Sequence, residues 1–132
     1  MPGRFGIDTS VLVRLVTGDP EKGFVHCVRN LSKLVDGEGA EILASNQVIG
    51  EAYIALQHHY GVTKSEARSA LGKVLRSGLV SPMNGPAILA LLEARTGSGL
   101  LDRLIADDYA RHEVVTLTLD RKMAALPRCR LL

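Results

Sequence analysis

Four acidic residues stand where the apolar pattern predicts burial, and they are the residues of this sequence best suited to chemistry. Asp8 is the only charge between Arg4 and Arg14. Glu51 is the only Asp, Glu, Lys or Arg between Glu41 and Lys64, on a stretch otherwise carrying Val48, Ile49, Ala52, Tyr53, Ile54 and Leu56. Asp102 follows Leu100-Leu101 and precedes Leu104-Ile105, and Asp120 closes the β-branched run 114–119. A carboxylate in apolar surroundings is protonated, paired with a base or bound to a cation. Together, four such oxygen donors suit a hard divalent ion. If they converge with no ion between them, their mutual repulsion raises the pKa of at least one.

Each acid also has a local reading. Asp8 can cap the helix that follows it. Asp102 can favour a helix N-terminus electrostatically, and Asp120 can serve the turn before Arg121. Glu51 is expected to find no partner within one turn. Asp107 and Asp108 lie about 140° and 240° around a helix from Asp102, which places them on or near the solvated surface. The histidines His26, His58, His59 and His112 show no zinc spacing, and His58-His59 near a helix end read as surface residues. There is no Gly-x-Ser-x-Gly elbow and no phosphate-cradling glycine loop, and Gly97-Ser98-Gly99 reads as a flexible joint.

The elements that must position these residues alternate between strand and helix. Phe5-Gly6-Ile7 fits a short buried strand ending at Asp8, followed by a helix over residues 10–16 closed by Gly18. Asp19-Pro20 reads as a cap with proline at the first helical position. Phe24, Val28, Leu31 and Val35 then form one helix face ending at Gly37. Residues 41–44 read as a second strand, and Ser45 or Asn46 caps a helix reaching Tyr60 and Gly61. Thr63-Lys64-Ser65-Glu66 is a capping box opening the next helix. Leu79-Val80 suggests a third strand, and Asn84-Gly85-Pro86 starts a helix through Leu92. Residues 100–112 form another helix, 114–119 the clearest strand, and a short helix to Leu126 precedes a last strand near Leu131. This alternation predicts an α/β fold with a parallel sheet covered on both faces, in which ligands bind beyond the carboxyl ends of the strands. Asp8 and Asp120 sit at two of those ends.

With 132 residues, 46% apolar and 23% charged, the chain is expected to form one domain over residues 1–132. It carries no apolar run of membrane-spanning length and no signal peptide, so a cytoplasmic protein with no membrane association is expected. Two cysteines, Cys27 and Cys129, read as reduced packing residues. The net charge of +2 divides unevenly. Residues 1–66 hold six bases and eight acids, for −2, whereas residues 67–132 hold ten bases and six acids, for +4. A mildly basic C-terminal half permits contact with a polyanion. The scarcity of aromatics, 4% with no tryptophan, argues against a base-stacking platform.

Four motifs in order resemble the PIN domain, and within it the VapC-type toxin ribonucleases of bacterial toxin–antitoxin pairs. They are Gly6-Ile7-Asp8-Thr9-Ser10-Val11-Leu12, then residues 46–56 around Glu51, then residues 97–106 around Asp102. The last is Leu117-Thr118-Leu119-Asp120-Arg121-Lys122 with a closing Leu126-Pro127 and Leu131-Leu132. The resemblance covers essentially the whole chain. It implies a PIN-like three-layer α/β/α fold with a small, mostly parallel central sheet flanked by helices. It also implies that Asp8, Glu51, Asp102 and Asp120 hold one or two Mg²⁺ or Mn²⁺ ions, with the hydroxyl of Thr118, and more weakly Thr9, beside the site. The implied activity is RNA hydrolysis by metal-activated water, and the implied partners are RNA, a cognate antitoxin and a second copy in a homodimer. The sequence departs from the family pattern at Leu100 and Leu119, where the family often has aromatics. Arg14, Arg103, Arg121 and Lys122 lie close in sequence to the acids and could hold the RNA strand.

Other readings are a housekeeping RNA-processing nuclease of the same fold, a non-catalytic relative and a phosphoacceptor signalling module. The last would need paired acids after the first strand and an aspartate after a middle strand. Asp8 has no acidic neighbour, and residues 42–46 contain no Asp.

Overall fold

The computed structural model describes residues 2–132. Strands β1 (Arg4–Gly6), β2 (Glu41–Ala44) and β3 (Ser81–Pro82) form a parallel sheet in the order β1-β2-β3, with Phe5 opposite Ile42 and Leu43 opposite Ser81. Ile42, Leu43 and Ala44 are buried, as expected of a strand paired on both edges and covered by helices. The intervening helices are α1 (Thr9–Thr17), α2 (Glu21–Ser32), α3 (Asn46–Tyr60), α4 (Lys64–Leu75), α5 (Ala87–Glu93) and α6 (Leu100–Arg111). After α6 come β4 (Thr116–Thr118), α7 (Arg121–Ala124) and β5 (Cys129–Leu131). The result is a three-layer α/β/α arrangement around a small, mostly parallel sheet. No helix among the described residues is long and apolar enough to cross a membrane.

Helix ends follow local chemistry. Ser45 caps α3 by accepting from the Val48 amide at 3.1 Å, and Gly61 ends the helix in the left-handed conformation, φ 63°. Thr63 and Glu66 complete the capping box of α4. For α2 the capping expectation does not hold. Pro20 itself is the N-cap residue and Asp19 supplies no cap bond, while a π-helical turn over Lys33–Gly37 carries the chain to the expected end at Gly37.

Three strands differ from expectation. The first lies at Arg4–Gly6, one residue earlier than Phe5-Gly6-Ile7, and its residues are exposed, not buried, because it is an edge strand paired only with β2. The third forms at Ser81–Pro82, two residues later than Leu79-Val80, with Val80 fully buried just before it. Pro82 has no N–H to donate, which an edge strand tolerates, and the ladder resumes where the Met83 amide reaches Ala44 O at 2.8 Å. The run 114–119 forms a ladder only over Thr116–Thr118, because its sole partner, β5, is three residues long. This β4–β5 pair is a separate two-stranded sheet, not a continuation of β1-β2-β3, and Val115, Leu117 and Leu119 remain exposed.

The core is a single cluster that includes Leu12, Ile42, Ile49, Leu71, Ile88 and Leu100. The helices α3 and α6 approach closely at Gly50, where a Cβ would lie 3.1 Å from Leu101 Cδ2. Ile49 is fully buried beside that crossing. Ile49→Ala should therefore lower unfolding free energy by about 2–5 kcal/mol. Urea denaturation should show this as a lower midpoint at constant slope.

Candidate active site

The first turn of α1, just beyond β1, is tied to the outer face of α3 by a side-chain hydrogen bond. Asp8 is the N-cap of α1, its Oδ1 accepting from the Ser10 hydroxyl at 2.6 Å and from the Val11 amide at 3.1 Å. The next residue, Thr9, donates its hydroxyl to Glu51 Oε1 at 2.6 Å, and Gln47 Nε2 donates to Glu51 Oε2 at 3.0 Å. Glu51 is exposed, contrary to the burial expected from its apolar neighbours, and it does have a partner one turn away. The reason is angular. Ile49, Ala52, Tyr53 and Leu56 turn inward, which leaves Gln47, Glu51, Ile54 and His58 outside at spacings of 4, 3 and 4.

These bonds favour the charged forms. The Ser10 hydroxyl and then the Val11 amide hold Asp8 below its ordinary 3.8. The Thr9 hydroxyl and then the Gln47 amide hold Glu51 below 4.5. Both shifts are downward, opposite to the rise expected of crowded, unpaired carboxylates. Both side chains are therefore ionised oxygen donors at neutral pH. Such donors fit a hard cation, and Mg²⁺ is commonly held by one or two carboxylates with its remaining positions filled by water.

The other acids stand in different surroundings. Asp120 caps α7, its Oδ1 accepting from the amides of Lys122 at 2.8 Å and Met123 at 3.0 Å. Thr118 lies beside it, its hydroxyl accepting from the Asp120 amide at 3.0 Å. Both belong to the separate β4–β5 unit. Asp102 is half-buried in the first turn of α6 and lines a cavity with residues of α3 and α4. Hydrogen bonds thus link Thr9, beside Asp8, to Glu51, and Thr118 to Asp120, while Asp102 lies at the head of α6. Among the described residues no three His, Cys, Asp or Glu side chains gather as a metal-holding group.

Sequence reasoning missed a polar knot at the carboxyl ends of β2 and β3. Asp107 Oδ2 accepts from Asn46 Nδ2 at 2.9 Å, Asn84 Nδ2 at 2.9 Å and Arg111 Nε at 3.0 Å. Asp107 is half-buried, not on the open surface, whereas Asp108 is exposed and accepts from Asn84 at 2.9 Å. Burial alone would raise the Asp107 pKa, but Arg111, Asn84 and Asn46 outweigh it and the net shift is downward. Asn46, only 4% exposed, also donates to Leu104 O at 3.0 Å and so ties α3 to α6. The sequence signal was an asparagine at a strand end that the helix cap did not require, since Ser45 fills that role. Asp108 and Glu51 both line a cavity of about 280 Å³ between these helices.

Among the bases near the acids, Arg103 is already committed. It donates to Ser98 O at 2.9 Å and Thr96 O at 2.7 Å, pinning the joint before α6. The Arg14 side chain packs over Gly23 of α2. Arg121 and Lys122 are exposed.

Thr9→Val removes the shorter donor to Glu51 at nearly constant volume. It should move the Glu51 pKa up toward 4.5, as read by NMR titration of its carboxyl carbon. For Asp8, whose folded pKa is depressed, the stabilisation is present above its unfolded value and lost as pH falls through the folded one. Ser10→Ala should shrink that acid-side loss. Unmoved titrations in both variants would contradict the assigned donors.

Compared with known families, residues 6–128 match the PIN domain. No curated protein matches the chain closely enough to count as a relative. Proteins of this family are generally nucleases acting on RNA or DNA, typically with divalent metals. The matched span begins at the glycine that ends β1 and runs to the residue before β5, so it takes in every acid discussed above: this chain belongs to the PIN domain family.

Proposed function

We propose that this protein is a Mg²⁺- or Mn²⁺-dependent endoribonuclease acting as the cytoplasmic toxin of a toxin–antitoxin pair. Its partners are RNA, a cognate antitoxin and a second copy of itself. The observation that carries the catalytic reading is the linked pair Asp8 and Glu51, ionised, exposed and placed beyond a strand end in a chain of a nuclease family. The toxin role rests on the resemblance of the four motifs to VapC-type proteins. In this reading Asp8, Glu51, Asp102 and Asp120 form the acidic set and Thr118 orients the Asp120 turn. Asp102 and Asp120 enter on the motifs alone.

Each residue has a task that its bonds make specific. Asp8 takes both cap bonds on Oδ1, which leaves Oδ2 without a cap role. Thr9 and Gln47 hold the two Glu51 oxygens in fixed directions, so the carboxylate need not reorganise on binding a cation. When bound, a divalent ion supplies activation of water and neutralises charge developing on the phosphate. The acids repel RNA, and the exposed Arg121 and Lys122 beside Asp120 are placed to offset that repulsion.

Purified protein should cleave RNA with Mg²⁺ or Mn²⁺ and stop in excess EDTA. Asp8→Asn and Glu51→Gln should each lower the rate by at least about a hundredfold, a loss of roughly 2.7 kcal/mol in barrier stabilisation. Asp102→Asn and Asp120→Asn should do the same if all four acids act as one set. Expression of the wild type should slow bacterial growth, and Asp8→Asn should relieve this at equal protein level. Cleavage undiminished in EDTA would overturn the reading.

A further inference from the structure

A second cavity, of about 440 Å³, lies between α3, α4 and the start of α6, and it brings two basic side chains beside Asp102. Its walls include Gln57 and His58 from α3, Lys64 and Arg68 from α4, and Gly99 and Asp102 at the head of α6. Lys64 and Arg68 are one helical turn apart, and neither takes part in an ion pair among the described residues. Arg68 Nε is buried with no hydrogen-bond partner, an unsatisfied donor of the kind that a folded chain seldom keeps. Gly99 caps α6 without a side-chain bond, and Gly99 to Asp102, the first turn of this twelve-residue helix, line the cavity. A Cβ built on Gly99 meets nothing within 4 Å, so the approach to the amides of that turn is clear. Asp102 contributes one opposing charge against the two cations.

Two cations free of ion pairs, the exposed Lys64 and the half-buried Arg68, share with a helix N-terminus one complement, a tetrahedral oxyanion. We propose that this cavity is a phosphate-binding site that holds a backbone phosphate of the RNA and so sets where the strand runs past Asp102. The proposal rests on the reading that the protein acts on RNA. It concerns binding, not the bond that is cut, so it can be tested without turnover.

The measurement is fluorescence anisotropy of a short labelled single-stranded RNA in EDTA, with the full chain, across a range of salt. Lys64→Ala with Arg68→Ala should weaken binding about tenfold and lower the slope of log affinity against log salt by about 0.7, the loss of one phosphate contact. Lys33→Ala with Arg29→Ala, the same charge change on exposed positions of the α2 segment, should change neither by as much. Gly99→Asp guards against misfolding as the explanation. It should keep or raise the melting temperature, because Asp is a good N-cap, while weakening RNA binding by placing a carboxylate in the anion's position. Inorganic phosphate should compete with RNA for wild type and less well for the double variant. Unchanged RNA affinity in both the double variant and Gly99→Asp would overturn the proposal. Loss of phosphate competition with RNA affinity retained would show a site for a free anion, and would overturn the RNA assignment. Absence of Mg²⁺-dependent cleavage with this binding pattern intact would strike the nuclease reading alone. Intact cleavage with unaltered variant binding would strike this site alone.

Discussion

Burial of Ile49, Ala52, Tyr53 and Leu56 leaves α3 no freedom to rotate, and most of what this molecule can do follows from that restraint. Gly50 allows α6 to press against the same face, and Asn46 bonds to Leu104 O across the join. With those contacts made, the stripe Gln47, Glu51, Ile54 and His58 must face outward. Glu51 then meets Thr9 at the start of α1, and His58, toward the other end of the helix, lines a cavity with Lys64 and Arg68 of α4. A strongly packed helix is a rigid ruler, and here it separates an acidic neighbourhood from a basic one along its own length.

Beyond the end of β1, polarity is handled by hydrogen bonds and not by charge pairs. Asp8 and Glu51 are held below their ordinary pKa values by hydroxyl and amide donors, with no guanidinium or ammonium beside them. That leaves their negative charge uncompensated and available to a cation. Asp107 is the opposite case: Arg111 and two asparagines already satisfy it. Of two acids near the same helix junction, the exposed and unpaired one suits binding, while the enclosed one holds structure. This difference, more than the number of acids, separates a functional carboxylate from an architectural one.

Much of the frame could be read from local chemistry. Asp8 before Thr9-Ser10, Ser45 before α3 and the box Thr63–Glu66 mark helix starts because short polar side chains at those places satisfy amides that nothing else reaches. The boundaries of β2 were equally plain. What depended on distant partners was not legible. The length of β4 is set by β5, the position of β3 by its pairing with β2, and the division of the sheet by the absence of a β1–β4 ladder among the described residues. The same limit applies to Glu51. Counting apolar neighbours implied burial, whereas the phase of the inward residues, once α3 is packed, puts it outside. Asn46 and Asn84 look unremarkable in sequence because their partner, Asp107, is 61 and 23 residues away.

The central claim is that the linked carboxylates of Asp8 and Glu51 receive a divalent ion, and paramagnetic broadening by Mn²⁺ tests it most directly. In a two-dimensional amide spectrum, substoichiometric Mn²⁺ should selectively broaden the signals of residues 8–11 and 50–52, with those around Asp102 and Asp120 following if all four acids serve one site. The effect should reverse with EDTA and vanish in Asp8→Asn. Broadening centred on Asp107 and Asp108 instead, or weak loss spread evenly over exposed acids, would contradict the account.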